Sequence, residues 1–309
     1  MDNEEFVRID RLIPEIPPAN KKLRLIIDSD VGNEIDDFYA IGLALASPDR
    51  FNLLGICGAH YTNARFGSGP GSIAHSVKLT HDLLKAAGMD DKYPVLHGSP
   101  PIQYFGFPIE SEASKFIITE AKKVTPEDPL WVVVLGASST TASALLSDPS
   151  IADNMRVVFH VRSDWTWPQR SVQYNVFGDI HAARSILESR VPLVWFDTGT
   201  QIKCPYEITK KHLAPLNSLG RYLHDYRDND PYFATPQKGF FDMGDIAFLI
   251  DPSICKMEIT KAPRMDQYMY FDFQQNRGKM LRVFDIENDA VWNMLFSRLK
   301  KLGPDSDER

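Results

Sequence analysis

The stretch Leu23-Arg24-Leu25-Ile26-Ile27-Asp28-Ser29-Asp30-Val31-Gly32-Asn33-Glu34-Ile35-Asp36-Asp37 decides how the rest of the chain is read. Leu23 to Ile27 is a short apolar run with β-branched residues that ends in acids, which predicts a strand. From Asp36 to Ala46 the apolar residues recur at helical spacing, and Pro48 limits the run. Strand, acidic loop and helix follow in direct succession. A unit of this kind, repeated, builds a parallel sheet whose ligands gather at the carboxyl ends of its strands.

The alternation continues along the chain. Phe51 to Cys57, Trp131 to Leu135, Val157 to Val161 and Leu193 to Phe196 read as further strands. Ser72 to Ala87, closed by Gly88, and the segments Glu110 to Lys123 and Asp179 to Leu187 read as helices. Beyond residue 204 the pattern loosens, although Asp242 to Ile250 predicts a helix stopped by Pro252, Met280 to Ile286 a strand, and Asp289 to Leu302 a last helix. The expected fold class is therefore α/β, a single domain over residues 23–302 with a mainly parallel, open, Rossmann-like sheet flanked by helices. Residues 1–22, which include Pro14, Pro17 and Pro18, read as an N-terminal extension, and residues 303–309 as a disordered tail. Gly67-Ser68-Gly69-Pro70-Gly71 lacks the third glycine of a dinucleotide-binding turn and reads as a loop before a helix.

Charge and composition exclude several function classes. The 309 residues carry 34 Lys+Arg against 41 Asp+Glu, a net charge of −7, with no clustered basic run. Nucleic acid is therefore not an expected partner, because phosphate backbones are bound by clustered cations. No stretch approaches the ~18 uninterrupted apolar residues of a membrane span, and the acidic, proline-bearing start is the opposite of a signal peptide. Cys57, Cys204 and Cys255 are widely spaced and odd in number, so they outline neither a disulfide framework nor a CxxC motif. The expectation is a cytoplasmic protein.

The acidic loop needs a chemical reason. Two unit charges about 4 Å apart repel by roughly 4 kcal/mol at an effective dielectric of about 20. Helix capping accounts for Asp36 and Asp37 but leaves Asp28 and Asp30 unexplained. A hard divalent cation, Ca²⁺ or Mg²⁺, accounts for all four through oxygen ligation. An EF-hand is ruled out, since its bidentate Glu would fall where Tyr39 stands. A strand ending in Asp-x-Asp also resembles the first motif of haloacid-dehalogenase-like phosphatases, but Gly32 and the immediate Asp36-Asp37 pair depart from that pattern.

Asp-x-Asp-x-Gly-x-x-x-Asp-Asp more closely resembles the N-terminal signature of the nucleoside hydrolases, Ca²⁺-dependent enzymes that cleave the N-glycosidic bond of ribonucleosides. The resemblance continues in order. Leu135-Gly136-Ala137-Ser138-Ser139-Thr140 is similar to a Leu-Gly-Pro-Leu-Thr-Asn turn, Tyr174-Asn175 to a Phe-Asn pair, and Phe241-Asp242 with Ile250-Asp251-Pro252 to a His-Asp helix. It implies that Asp30, Asp37, Asp242 and the main-chain carbonyl of Ser139 ligate Ca²⁺. Asp30 would also be the general base towards a metal-activated water. Asp36 and Asn175 would hold ribose hydroxyls, with Asp28 supporting. A nucleoside-like small molecule would be the substrate, and a homo-oligomer, dimer or tetramer, the assembly.

Several positions depart from the family pattern. Gln173 stands at the usual Glu site near the sugar 5′ side, Phe241 replaces a His, Arg162-Ser163 replaces a Gly-Gly pair, and His60-Tyr61, with Asn63 nearby, replaces a Gly-Asn. His60, His160, Asp164 and Tyr174 are the candidate leaving-group acids. Among the aromatics Trp165, Trp167, Tyr222, Tyr226, Tyr232, Phe233, Phe240 and Phe241, half are expected in the core and half against a nucleobase. Trp165, Phe241 and Gln173 are expected to line the substrate site. Two rival readings stand beside the hydrolase: a catalytically altered member that binds a nucleoside-like ligand, and an Asp-based phosphatase.

Overall fold

Short β-branched runs become strands here because both of their faces find helices to pack on. The computed structural model describes residues 11–63, 67–68, 70–163, 165–235, 237–274 and 277–302. Its main elements are β1 (Leu23–Ser29), α1 (Asp36–Leu45), β2 (Phe51–Gly58), α2 (Pro70–Ala86), β3 (Val95–His97), α3 (Glu112–Ala121), β4 (Leu130–Val134) and α4 (Ser139–Ser147). The chain continues through β5 (Met155–His160), α5 (Tyr174–Gly178), α6 (Ile180–Glu188), β6 (Leu193–Phe196), α7 (Tyr206–His212) and α8 (Ser218–Asp228). It ends with α9 (Met243–Ile250), β7 (Cys255–Lys261), β8 (Lys279–Ile286) and α10 (Asn288–Lys301).

The strands form one eight-stranded sheet in the order β7-β8-β6-β5-β4-β1-β2-β3. Edge strand β7 runs antiparallel to β8, and all other neighbours are parallel. Side chains alternate between the faces, as strand geometry requires. Leu25, Ile27, Val133, Val158 and Val194 pack on α1, α8, α9 and α10, whereas Ile26, Val132, Val134, Val157 and Phe159 pack on α3, α4 and α6. The chain is thus a doubly covered α/β domain, as its pattern of apolar runs anticipated.

Topology positions the site. From β1 the chain moves outward through β2 to β3, then returns to lay β4 on the other side of β1. Connections leave the carboxyl ends of β1 and β4 in opposite directions, which opens a crevice between them. The acidic loop follows β1 at that point.

Several elements carry no clear sequence signal of their own, β3, α5, β7 and α7 among them. β3 has only three residues and α5 only five, too few for a period to show. β7 is an edge strand with mostly exposed side chains, so it lacks an apolar run, and α7 has a single fully buried side chain, Thr209. Helix α3 starts at Glu112 instead of Glu110 because Ser111 accepts from the Ser114 amide and caps it. Residues 11–22 run without helix or strand. They are tied down by the buried Arg50, which donates to the carbonyls of Pro17, Pro18 and Lys21, and by Arg11, which donates to Leu187 O at 2.8 Å. Residues 303–309 and Asp164 lie outside the described residues. Among the described residues no helix is long and apolar enough to cross a membrane.

Candidate active site

Close approach of two strand ends builds the floor of the crevice. The amides of Leu135 and Gly136 both donate to Asp28 O, at 2.8 and 3.3 Å. The Asp28 side chain is fully buried and accepts from Thr141 Oγ1 of α4 at 2.7 Å. A Cβ on Gly136 would lie 2.9 Å from Asp30 N and 3.0 Å from Asp30 Cβ, so only glycine lets β4 pass this close to the acidic loop. Gly136→Ala is accordingly expected to destabilise the fold by about 1–3 kcal/mol through overpacking. An unchanged urea midpoint would contradict the close approach.

Gly32 then turns the loop back towards the crevice with φ +95°, a region that side chains with a Cβ disfavour. Behind the turn, the Asn33 amide donates to Asp30 O at 3.0 Å and Asn33 Nδ2 to Asp30 Oδ2 at 2.9 Å. Asp36 and Asp37 open α1 without a side-chain cap, since Ile35 is its N-cap residue. Asp36 Oδ2 instead accepts from the Phe241 amide at 3.1 Å, and Asp37 Oδ1 accepts from Ser29 Oγ. Capping therefore does not explain these acids.

Asp242 arrives from the far half of the chain, directly before α9. Ligating atoms of Asp36, Asp37 and Asp242 all lie within 4.8 Å of one another. Behind Asp242, His160 at the end of β5 places Nδ1 2.7 Å from Asp245 Oδ2 and Nε2 3.6 Å from Asp242 Oδ1. His160, one of the candidate leaving-group acids, lines the cleft, whereas Asp245 and its pairing with His160 carry no signal in the sequence. Only the fold joins them.

Burial and mutual repulsion set the electrostatics. Burial pushes Asp28 up to about 7, and burial with the charges of Asp36 and Asp28 pushes Asp30 up to about 8. Asp37 and Asp242 are held well above the usual carboxylate range by burial and by their acidic neighbours. Burial raises Asp245 to about 6, with His160 opposing the shift. Such a cluster ionises fully only beside a compensating positive charge. Its donors are oxygens, and Asp36 Oδ1 is buried with no hydrogen-bond partner, which fits a hard divalent cation.

The cleft above these acids has a volume of about 210 Å³. Asp30, Asp36, Asp37 and Asp242 line it together with Asn175, Gln173 and Phe241, so most of the residues expected from the sequence meet there. Ser139 and Trp165 do not. Ser139 is the first residue of α4, with its hydroxyl 2.5 Å from Asp179 Oδ2 and 2.7 Å from His60 Nε2. The turn has already become helix there, and the wall of the cleft at this point is Leu135. Its carbonyl accepts from Asn175 Nδ2. Trp165 is 69% exposed and stands outside the lining.

The other candidates separate in the same way. His60 is buried against Ser139, away from the cleft, while Tyr174 lines it. Tyr226 packs tilted against Phe38 with ring centroids 4.2 Å apart and Phe240 against Tyr39 at 4.5 Å, and Tyr222 packs beside them against the core. Tyr232 and Phe233, with Asn33, Glu34 and Tyr174, line a second cavity that shares these last three residues with the cleft. Gln173 caps α5, its Oε1 accepting from the amides of Asn175 at 2.7 Å and Val176 at 3.4 Å.

The sequence profile of the inosine-uridine preferring nucleoside hydrolase family matches residues 25–293. The chain belongs to this family. Nucleoside hydrolases are N-glycosyl hydrolases, and solved structures of several share the fold. A plant nucleoside hydrolase superposes with a TM-score of 0.71 at 19% identity, covering 91% of this chain and 99% of that one. The purine-preferring ribonucleoside hydrolase of Gardnerella vaginalis gives 0.68 at 19% identity, over 90% and 98% of the two chains. The inosine-uridine preferring nucleoside hydrolase of Bacillus anthracis gives 0.69 at 13% identity, over 91% and 100%. No curated protein sequence is significantly similar to this chain.

Proposed function

We propose that this member of the nucleoside hydrolase family cleaves the N-glycosidic bond of a ribonucleoside, with Ca²⁺ held by Asp30, Asp37, Asp242 and the main-chain carbonyl of Leu135. The observation that carries the reading is the meeting of Asp242 with Asp36 and Asp37, more than two hundred positions away in sequence, in one buried group of oxygen donors. When bound, the ion would neutralise the acids, orient sugar hydroxyls and acidify a water.

The chain's own residues supply the remaining chemistry. Asp36 offers its unpartnered Oδ1 to a sugar hydroxyl. Asn175, whose Nδ2 is engaged by Leu135 O, has its Oδ1 left for a second. Asp30 keeps one oxygen on Asn33 and takes a proton from the attacking water with the other. The C1′–N bond opens with oxocarbenium character, as in other glycoside hydrolyses. The base lies towards Tyr174 and Tyr232, whose exposed rings offer stacking faces, with Phe233 packed behind them. His160, held between Asp242 and Asp245, is a positioning residue for Asp242. An Asp-based phosphatase is disfavoured because its nucleophile would be Asp28, which is fully buried against Thr141. The cysteines are all free, which suits a reducing, cytoplasmic setting.

Thermal unfolding with Ca²⁺ or chelator, run beside hydrolysis of inosine, uridine and p-nitrophenyl riboside, tests the reading. Saturating Ca²⁺ is expected to raise Tm by about 4–6 °C, the effect of a ligand at roughly a hundred to a thousand times its Kd. Chelation should abolish turnover. Full turnover in chelator would overturn the metal assignment, and no turnover on any of the three substrates with Ca²⁺ would overturn the activity.

A further inference from the structure

Two cations flank the ring of Phe241 in the cleft, and they differ in how they are employed. Lys238 Nζ, 5.1 Å from the ring centroid, is paired with Glu34 Oε2 at 2.5 Å and donates to Gly239 O at 2.9 Å. Arg162 lies over the same ring, its guanidinium carbon 3.9 Å from the centroid, and forms no ion pair among the described residues. Its Nε is buried and has no hydrogen-bond partner. A buried, unpaired N–H on a charged group is unfavourable, and an incoming anion relieves it. The backbone agrees with a functional position. Arg162 has φ +31°, a conformation that a non-glycine residue adopts only where its surroundings impose it.

The lining of the cleft gives the direction in which Arg162 would act. The aromatic cavity meets the cleft at Asn33, Glu34 and Tyr174, which fixes the end towards which a nucleobase lies. The acids Asp30, Asp36, Asp37 and Asp242, which the proposed reading assigns to the sugar, line the cleft and not the aromatic cavity. Arg162 and Gln173 line the cleft beside these acids and do not border the aromatic cavity, so with the base towards that cavity they are available to the remaining sugar substituent. Gln173 is uncharged, and its Oε1 is consumed in capping α5, so what it can offer is an N–H donor. An uncommitted guanidinium beside a neutral donor is a site for an oxyanion.

Resting on the reading of the cleft as an N-riboside hydrolase site, we infer that the preferred substrate carries an anionic group on the sugar carbon C5, namely the 5′-phosphate of a ribonucleoside monophosphate. Arg162 is the specificity-determining residue. The reaction is otherwise unchanged: C1′–N breaks, the water oxygen bonds to C1′, one water proton ends on the departing base, and the phosphate ester stays intact. The products are a free base and ribose 5-phosphate.

Two measurements test this with full-length protein at saturating Ca²⁺. In the first, kcat/KM is compared for inosine against inosine 5′-monophosphate and for uridine against uridine 5′-monophosphate, in the native protein and in Arg162→Ala. The monophosphates should be preferred, and the substitution should reduce that preference about 10- to 100-fold, the range for losing hydrogen bonds to a charged group. Plain nucleosides cleaved better than monophosphates would overturn the inference, as would a preference that survives in Arg162→Ala. The second measurement, calorimetric binding of ribose and ribose 5-phosphate to the native protein, requires neither turnover nor a variant. Tighter binding of ribose 5-phosphate supports the anion subsite at Arg162 independently of turnover, so a failure of the hydrolase reading shows as lost turnover with this binding intact. Equal binding of the two sugars overturns it.

Discussion

Replacing Asp30 by Asn is expected to lower kcat by about 10²–10⁴-fold, the range for removing a general base, while substrate affinity changes far less. The exchange is nearly isosteric. One side-chain oxygen of residue 30 remains available to Asn33 Nδ2, which now sits 2.9 Å from Asp30 Oδ2, and Gly136 still closes the loop from below. What disappears is the basic oxygen that takes a proton from water. Because Asp30 also belongs to the proposed ligand set, loss of the cation could imitate loss of the base. The assay is therefore run at Ca²⁺ concentrations that saturate the variant, judged by its own Ca²⁺-dependent Tm. A variant that is saturated and still turns over near the native rate would refute the role of Asp30 as base.

The sheet was legible because its strands report their burial directly. β1, β4, β5 and β6 are buried on both faces and centre on short apolar runs, so their limits in sequence and in space agree within two residues. Edge strand β7 gives no such signal, because its exposed side chains need not be apolar. In the site, the acids announced themselves by crowding, since a cluster like Asp28 to Asp37 is costly unless something compensates it. The carbonyl side of the site was harder to read. A main-chain oxygen leaves no mark on residue identity, and the point at which β4 gives way to α4 decides whether Leu135 or Ser139 faces the cleft. Trp165 was misplaced for a similar reason: an aromatic residue after a strand end has no periodicity to show which way its loop turns it. His160 and Asp245, 85 residues apart, needed the fold to meet at all.

Asp242→Asn is expected to separate stability from cation binding, and in opposite directions. In the absence of a cation, Asp28 and Asp30 have folded-state pKa values of about 7 and about 8, above the ordinary carboxylate value, and Asp37 and Asp242 are also raised. Each such group stays protonated in the folded chain to a higher pH than in the unfolded one. Its contribution is therefore fully present below the unfolded-state pKa near 4 and is lost as pH rises through the folded-state value. Tm of the cation-free native protein should fall between about pH 5 and pH 8. At pH 8 and without cation, Asp242→Asn removes one of the mutually repelling acids, each close pair of which is worth up to roughly 4 kcal/mol at an effective dielectric of about 20. About half of that raises Tm by about 3 °C, so the variant should be the more stable protein. With Ca²⁺ the order reverses. The native protein gains its ligand and loses its pH slope, whereas the variant, short of one carboxylate, gains little. Differential scanning calorimetry at pH 5 and pH 8, with Ca²⁺ and with chelator, reads all of these outcomes. If Asp242→Asn keeps the native Ca²⁺ shift, or is less stable than the native protein at pH 8 in chelator, the cluster is not held apart by like charge and Asp242 is not one of its cation ligands.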